Sequence, residues 1–224
     1  MTKLQEAYIK TGGISDTSKM PCYSWGIPAF TCRKGKRMRD EHPNSVCGIC
    51  YAFSGAYNWK MVKDAYYNRY KCWHELPDRE WVNYMTTILS SKKVRKSGYF
   101  RWFDSGDIQS LSMIYQIIEI ADRTPFLEHW VATREDEDIE KVLTEYIPDN
   151  LVFRLSHTYK DQLDKDISDC ADRKNINQSL VVSSTSVKLL NKQFTCPSSL
   201  QDGKCLDCRA CWNHKVKHVA YIEH

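Results

Sequence analysis

The chain has 224 residues, 42% of them hydrophobic and 27% charged, with nine Gly and seven Pro. This length and balance fit one folded domain and exclude a collagen, a coiled coil or a disordered chain. A net charge of +4, from 32 basic and 28 acidic residues, is too small to demand a nucleic-acid partner. No run of about 18 apolar residues offers a membrane span, and Met1 to Glu6 lack the apolar stretch of a secretory leader.

Residues 1–20 are polar and read as a lead-in. A short strand is expected over Tyr23 to Ile27. It runs into a first cysteine loop, residues 28–57, which carries the basic run Arg33, Lys34, Lys36, Arg37 and Arg39. Solvated surface is the default place for such a run. Trp59, Val62, Tyr66, Tyr70 and Trp73 recur at three- and four-residue spacing and predict a helix with one apolar stripe. A second helix begins after Pro77, with Asp78 as its N-cap and Trp81, Met85, Ile88 and Leu89 facing inward.

Residues 99–190 alternate between strands and helices. Tyr99 to Phe103 reads as a strand ending at Asp104-Ser105-Gly106-Asp107, and Leu111 to Ala121 as an apolar helix. His129 to Thr133 is the next strand. Asp136 then caps a helix carrying Ile139, Val142, Leu143 and Tyr146. Leu151 to Leu155 is a strand ending at Ser156-His157-Thr158, and Tyr159 to Asn177 is polar and weakly helical. Leu180 to Ser183 is a fifth strand, followed by a helical stretch around Val187 to Leu190. A second cysteine loop, residues 194–213, leads to a sixth strand at His218 to Ile222.

Strands separated by helices call for right-handed crossovers and a parallel sheet. Six such units predict an open partial (β/α)6 barrel in a single α/β domain over residues 1–224, with a flat doubly wound sheet as the alternative. Both architectures gather ligands at the carboxyl ends of the strands. The two cysteine loops are therefore expected over one mouth, lined also by Ser105, Asp107, Thr133, Arg134, Arg154, Ser156, Ser183 and Ser184.

Ten cysteines stand out in so ordinary a composition. Without an export signal the chain reads as cytosolic, where thiols stay reduced and clustered Cys serve metal or redox chemistry. Seven fall into two groups: Cys32 with Cys47-Gly-Ile-Cys50, and Cys196 with Cys205-Leu-Asp-Cys208-Arg-Ala-Cys211. Two intervening residues let a loop turn both sulfurs toward one metal, and three thiols in a C-x2-C-x2-C run match the ligation of a [4Fe–4S] cube. Four-thiolate zinc, for example from Cys47, Cys50, Cys208 and Cys211, is the other reading. Cys22, Cys72 and Cys170 stand apart and read as incidental thiols.

Four signatures carry a resemblance to a known family. They are Pro28-Ala-Phe-Thr-Cys32, Cys47-Gly-Ile-Cys50-Tyr-Ala, Phe100-Arg-Trp-Phe-Asp-Ser-Gly-Asp107, and the tail from Cys196-Pro through Cys208-Arg-Ala-Cys211-Trp212. In this order they resemble the phage gene product 88 family of tailed bacteriophages, which implies a protein of the host cytoplasm during infection and supplies no reaction. At fold level the chain is similar to radical S-adenosylmethionine enzymes. Those hold a three-cysteine cluster after the first strand of a partial barrel, with an aromatic after the last cysteine pair, as Tyr51 follows Cys50 here. Their usual first gap is three residues, whereas fourteen separate Cys32 from Cys47. By this resemblance Ser105, Gly106 and Asp107 fall where the cofactor's amino group is bound.

Two classes of function follow. In the first, Cys32, Cys47 and Cys50 hold a cube with one open corner, and Cys196, Cys205, Cys208 and Cys211 hold a second, fully ligated one. Asp107 then anchors an ammonium group, while Arg154 and Ser156 contact a carboxylate or ribose of S-adenosylmethionine. Ser-Gly-Asp reads equally as a turn with an Asp cap. In the second, a non-enzymatic protein holds one structural or redox-sensing cluster, or zinc, stitched from both loops, and binds a host protein or nucleic acid through Arg33 to Arg39 and Lys92, Lys93, Arg95 and Lys96. The small-molecule substrate or electron donor has no sequence signature, and no Walker, dinucleotide or His-based zinc motif is present.

Overall fold

The computed structural model describes residues 1–142, 146–174, 176–184 and 193–223. Its strands are β1 (Ser15–Asp16), β2 (Tyr23–Trp25), β3 (Tyr99–Trp102), β4 (Glu128–Thr133), β5 (Leu151–Ser156), β6 (Asn177–Val182), β7 (Phe194–Thr195) and β8 (His218–Ile222). They form one open mixed sheet in the order β1-β2-β3-β4-β5-β6-β8-β7. β1 lies antiparallel on β2, and every other neighbouring pair is parallel. The six strands expected from the alternation are thus all present and stand side by side in chain order. The two-residue edge strands β1 and β7 are additions that no pattern of so short a length announces.

Alternate residues of the strands serve two different layers. Phe100, Trp102, Val131, Leu151, Phe153 and Leu155 enter the main core, with Trp25 at its centre. Tyr99, Trp130, Ala132, Val219 and Tyr221 belong to a second, smaller cluster with Cys22, Cys196, Cys208, Cys211 and Trp212. The thiol-bearing tail is therefore packed across one face of the sheet, through residues in the middle of strands, instead of crowning the strand ends.

The helices are α1 (Lys3–Thr11), α2 (Arg33–Glu41), α3 (Lys60–Glu75), α4 (Asp78–Leu89), α5 (Lys92–Arg95), α6 (Leu111–Asp122), α7 (Asp136–Val142) and α8 (Lys165–Lys174), and all but α2 contribute side chains to the main core. The expected lead-in is in fact helical. Thr2 accepts from the Gln5 N–H while the Gln5 side chain accepts from the Thr2 N–H, a capping box, and Ala7 packs into the main core. In α4, Trp81, Met85, Ile88 and Leu89 are all fully buried as the spacing requires, each contributing about 1.5–3 kcal/mol of burial. Its N-cap is Pro77, and Asp78 is its first residue. In α3 the stripe is only half-used: Tyr66 is buried, Tyr70 and Trp73 lean on the core, and Trp59 is 63% exposed. α6 is capped by Ser110, whose hydroxyl accepts from the Met113 N–H at 3.1 Å. α7 starts at Asp136 and buries Ile139 and Val142; Tyr146 is exposed beyond it, and Leu143 lies outside the described residues. So does the helical stretch expected at residues 187–190.

Among the described residues no helix is long and apolar enough to cross a membrane.

Candidate metal centre

The first thiol group forms where the chain leaves β2. A 3-10 turn, Ala29–Thr31, ends at Cys32, which is also the N-cap of α2. Cys47 and Cys50 lie in the turn that follows this helix, closed by a Cys50 N–H bond to the Cys47 carbonyl at 3.4 Å. Gly48 has to be glycine, because a Cβ there would stand 1.9 Å from the Pro43 carbonyl oxygen. The loop is fastened to the segment after β5: Val46 N–H donates to the Thr158 carbonyl at 2.9 Å, and Ser45 bridges Tyr159.

α2 carries basic residues in its first turn, where the helix dipole disfavours them. Acidic partners from the start of α7 offset this. Arg33 donates to Asp138 at 2.6 Å, the Lys34 ammonium pairs with Asp136, and the Lys34 N–H donates to Glu135 at 2.9 Å. Arg39 stacks on the Phe53 ring at 4.3 Å. The basic run expected on solvated surface is thus partly a latch between α2 and α7. Of the second basic segment, Lys93 reaches Asp16 and the Tyr23 ring, and Arg95 stacks on Phe126.

The three sulfurs sense one another, Cys32 interacting with both Cys50 and Cys47, and Cys47 with Cys50. A Cβ built on the buried Gly35 would lie 3.5 Å from the Cys47 sulfur and 3.7 Å from the Cys32 sulfur. A glycine at this point of α2 leaves open the space between two thiols. Burial pushes all three thiols up; Asp107 and Glu135 push Cys32 further, whereas Arg134 and Arg39 oppose the rise at Cys47 and Cys50. Burial and Asp107 also raise the nearby Glu135 carboxyl to about 7.

The second group is built by the tail. Cys196 continues β7, its N–H donating to the Ala220 carbonyl at 2.8 Å. Cys205 donates through its N–H to the Lys19 carbonyl at 2.9 Å, and Cys208 to the Cys205 carbonyl at 2.9 Å. Asp202 and Leu206 both hold positive φ, so this loop is bent in a way that non-glycine residues resist. Trp212 anchors its end: the indole N–H donates to the Phe100 carbonyl at 2.9 Å, and the ring meets Trp130 edge-on at 5.3 Å. The Cys211 sulfur lies 3.1 Å from the Tyr221 hydroxyl, and the Cys196 sulfur 3.2 Å from the Ser198 hydroxyl. Cys205 interacts with Cys196, Cys208 and Cys22, and Cys211 with Cys196. Burial lifts Cys22 and Cys211 to about 12, against Arg101 and Arg209 at the first and the Tyr221 hydrogen bond and Arg154 at the second.

The expected cofactor anchors have partners inside the chain. Asp107 accepts from Ile108 N–H (2.8 Å), Thr133 hydroxyl (2.6 Å) and Arg134 N–H (2.9 Å), tying the end of β3 to the end of β4. Arg154 has no solvent exposure, and its five N–H groups meet five carbonyls, those of Gln178, Ala210, Cys211, Asn213 and Val216. Its role is to hold the tail on the sheet. The Ser156 hydroxyl pairs with Ser179 at 3.1 Å, and Ser105 is buried, its carbonyl accepting from Ile27 N–H. Gly106 has φ +81° and touches Ile27. Ser183 donates its N–H to Asp161.

Among the described residues no group of three or more His, Cys, Asp or Glu side chains is drawn together as a ready-made single-ion site. The fit of an iron–sulfur cluster therefore rests on other observations: two all-thiol donor sets, the open space at Gly35, and arginines whose charge opposes the rise of the thiols in each set. Desolvated thiols resist losing their protons unless a cation takes the proton's place. By that chemistry the residues present fit such a group.

A family model described as gene product 88 matches residues 2–214. No curated protein and no solved structure matches the chain.

Proposed function

The chain belongs to the phage gene product 88 family, and from its two thiol groups we propose that it is an iron–sulfur protein with two separate sites. The observation that carries this reading is the gathering of thiols in each group: Gly35 leaves space beside the Cys32 and Cys47 sulfurs, and Cys196, Cys208 and Cys211 share one cluster against the sheet. Arg134 and Arg39 oppose the rise of the first thiols, and Arg101, Arg209 and Arg154 that of the tail thiols. A thiolate-ligated cluster is anionic, and nearby cations lower the cost of holding it in a low-dielectric site. The interactions between sulfurs run within each group, which favours two sites over one stitched from both loops. We read β2, β3, β4, β5, β6 and β8 as the open (β/α)6 arrangement, with Cys32, Cys47 and Cys50 near its carboxyl ends.

A bound cluster supplies one-electron transfer at a potential set by charge, hydrogen bonds to sulfur and exposure. The chain tunes each of these. The Ala52 N–H donates to Cys50, and hydroxyls of Ser198 and Tyr221 lie against Cys196 and Cys211. Three sulfurs at the first site leave one corner of a cube for a small molecule or an electron donor, beside Arg134 and Glu135. The tail site, sealed by Trp212 and Arg154 against the sheet, suits electron storage.

Metal and sulfide analysis of protein purified without oxygen tests the reading. Broad absorbance near roughly 400 nm with about eight iron and eight sulfide per chain is expected. About four of each would overturn the two-site count. A colourless protein with stoichiometric zinc would overturn iron altogether.

A further inference from the structure

We infer that Cys22 is a fifth thiol of the tail site and a ligand to the group held there, an inference that rests on the iron–sulfur reading above. By spacing, Cys22 belongs to nothing: its nearest cysteine in sequence is Cys32, and Cys196 is far down the chain. The fold removes that separation. Cys22 immediately precedes β2 and is buried with Cys211 in the apolar cluster against which Cys196 and Cys208 also pack. The tail loop is joined to the segment leading into Cys22, through the Cys205 N–H bond to the Lys19 carbonyl at 2.9 Å. Gly203, on the same bend, lies against the Lys19 side chain. Cys205 is then the hub of the group, with Cys22, Cys196 and Cys208 as its sulfur neighbours.

A small buried residue that happens to be cysteine is the simpler account, and the chain supplies its own comparison. Cys170 is equally buried, but it sits in the main core among Ile167, Ala171 and Ile176. Cys72 lies on α3 near the Ile9 carbonyl and Asn68. Cys22 instead shares its cluster with Cys196, Cys208 and Cys211, and the Arg101 guanidinium is bonded to the Met20 sulfur at 3.3 Å, two residues before it. A cation beside a cysteine favours thiolate over thiol. On ligation the Cys22 thiol proton passes to solvent and a metal–sulfur bond replaces the S–H bond, with no electron transferred. Cys22 would then complete a four-thiol set with Cys196, Cys205 and Cys208, while Cys211 stays with its Tyr221 contact outside that set.

The test compares the wild-type chain with Cys22→Val and Cys170→Val, each assembled without oxygen and assayed for iron, sulfide and thermal unfolding. Valine keeps the apolar packing and removes only the sulfur. Cys22→Val is expected to lose about half of the iron and sulfide, the share of one of two cubes, while Cys170→Val keeps all of it. A Cys22→Val chain with wild-type iron, sulfide and absorbance overturns the inference. Should Cys22→Val unfold, Cys22→Ser replaces it and is read in the same way. A wild-type chain that takes up no iron refutes instead the reading on which the inference rests.

Discussion

Replacing Arg154 by Met tests whether the tail thiol site is held by one buried guanidinium. Methionine fills much of the space but serves none of the five carbonyls. Three of these keep another donor: Ala210 from Asn213 N–H at 3.2 Å, and Asn213 and Val216 from the Asn177 side chain at 3.1 and 3.2 Å. The Gln178 carbonyl loses only a long contact of 3.4 Å, whereas the Cys211 carbonyl, bound by Arg154 Nε at 2.9 Å, loses its donor. One orphaned buried acceptor costs about 1–3 kcal/mol, and three weakened ones about 0.5–1 kcal/mol each. Relief of the buried charge offsets part of this, leaving a loss of about 3 kcal/mol. For a chain of this size that lowers Tm by about 6–12 °C. The damage should be local, because β3 and β4 have their own core. Hydrogen exchange is expected to rise over residues 205–216 and to stay low over β3 and β4, and iron is lost from the tail site first. An Arg154→Met chain with unchanged Tm and unchanged protection over 205–216 would refute the argument.

In Gly35→Ala the helix gain of about 1 kcal/mol is opposed by a Cβ 3.1 Å from the Cys32 Cβ, so stability should change little. Its methyl would nevertheless fill the space beside Cys32 and Cys47, so iron bound at the first site should fall; full loading with normal stability counts against that space being functional. In the metal-free chain Glu135 has its folded pKa raised from 4.5 to about 7. Its contribution to stability is therefore complete below pH 4.5 and disappears as pH rises through about 7, by about 3 kcal/mol. Urea unfolding of wild type and Glu135→Gln at pH 5 and pH 8 should show the variant gaining on the parent at the higher pH, and equal differences at both would remove this role. Gly106→Ala combines a left-handed φ with a Cβ 2.4 Å from Ile27 Cγ1; a loss of about 2 kcal/mol or more is expected in chemical denaturation, and a neutral result contradicts the close packing of the loops after β2 and β3.

The strands were legible where burial leaves an apolar run, as at His129 to Thr133 and Leu151 to Leu155. β6 shows the limit. Its first residues, Asn177, Gln178 and Ser179, are polar yet buried, because Asn177 serves tail carbonyls and Gln178 meets His157 at 2.9 Å. Such partners lie far away in sequence, so the pattern starts the strand at Leu180. Helix α1 had a visible signal in Thr2 and Gln5, outweighed by the polarity around it. Helix α2 has almost no apolar face, and its support comes from acids about a hundred residues away in α7. The spacing of the seven cysteines divides them into two groups, but Cys22 has no spacing to read. Nor does the isolated Arg154 reveal that it fastens a loop instead of facing a ligand.

Three of the four family signatures, scattered along the chain, become one connected object around the end of β3. The Phe100 carbonyl takes the Trp212 indole N–H. Arg101 stacks on Trp130 at 4.6 Å, opposes the rise of the Cys22, Cys205 and Cys211 thiols, and donates to the Tyr51 hydroxyl at 3.1 Å. Tyr51 follows Cys50 and donates to the Asp104 carbonyl, which Tyr57 also reaches, while Tyr66 donates to the Asp104 carboxylate at 2.7 Å. Phe103 turns the chain through a left-handed conformation to make this possible. Arg101 is thus in contact with one residue next to the first thiol group and with the surroundings of the second. A charge change at either set of sulfurs alters the field at the same guanidinium. On the two-cluster proposal above, the potential of each cluster would depend on the charge of the other through this shared cation, a physical reason for one chain to carry both.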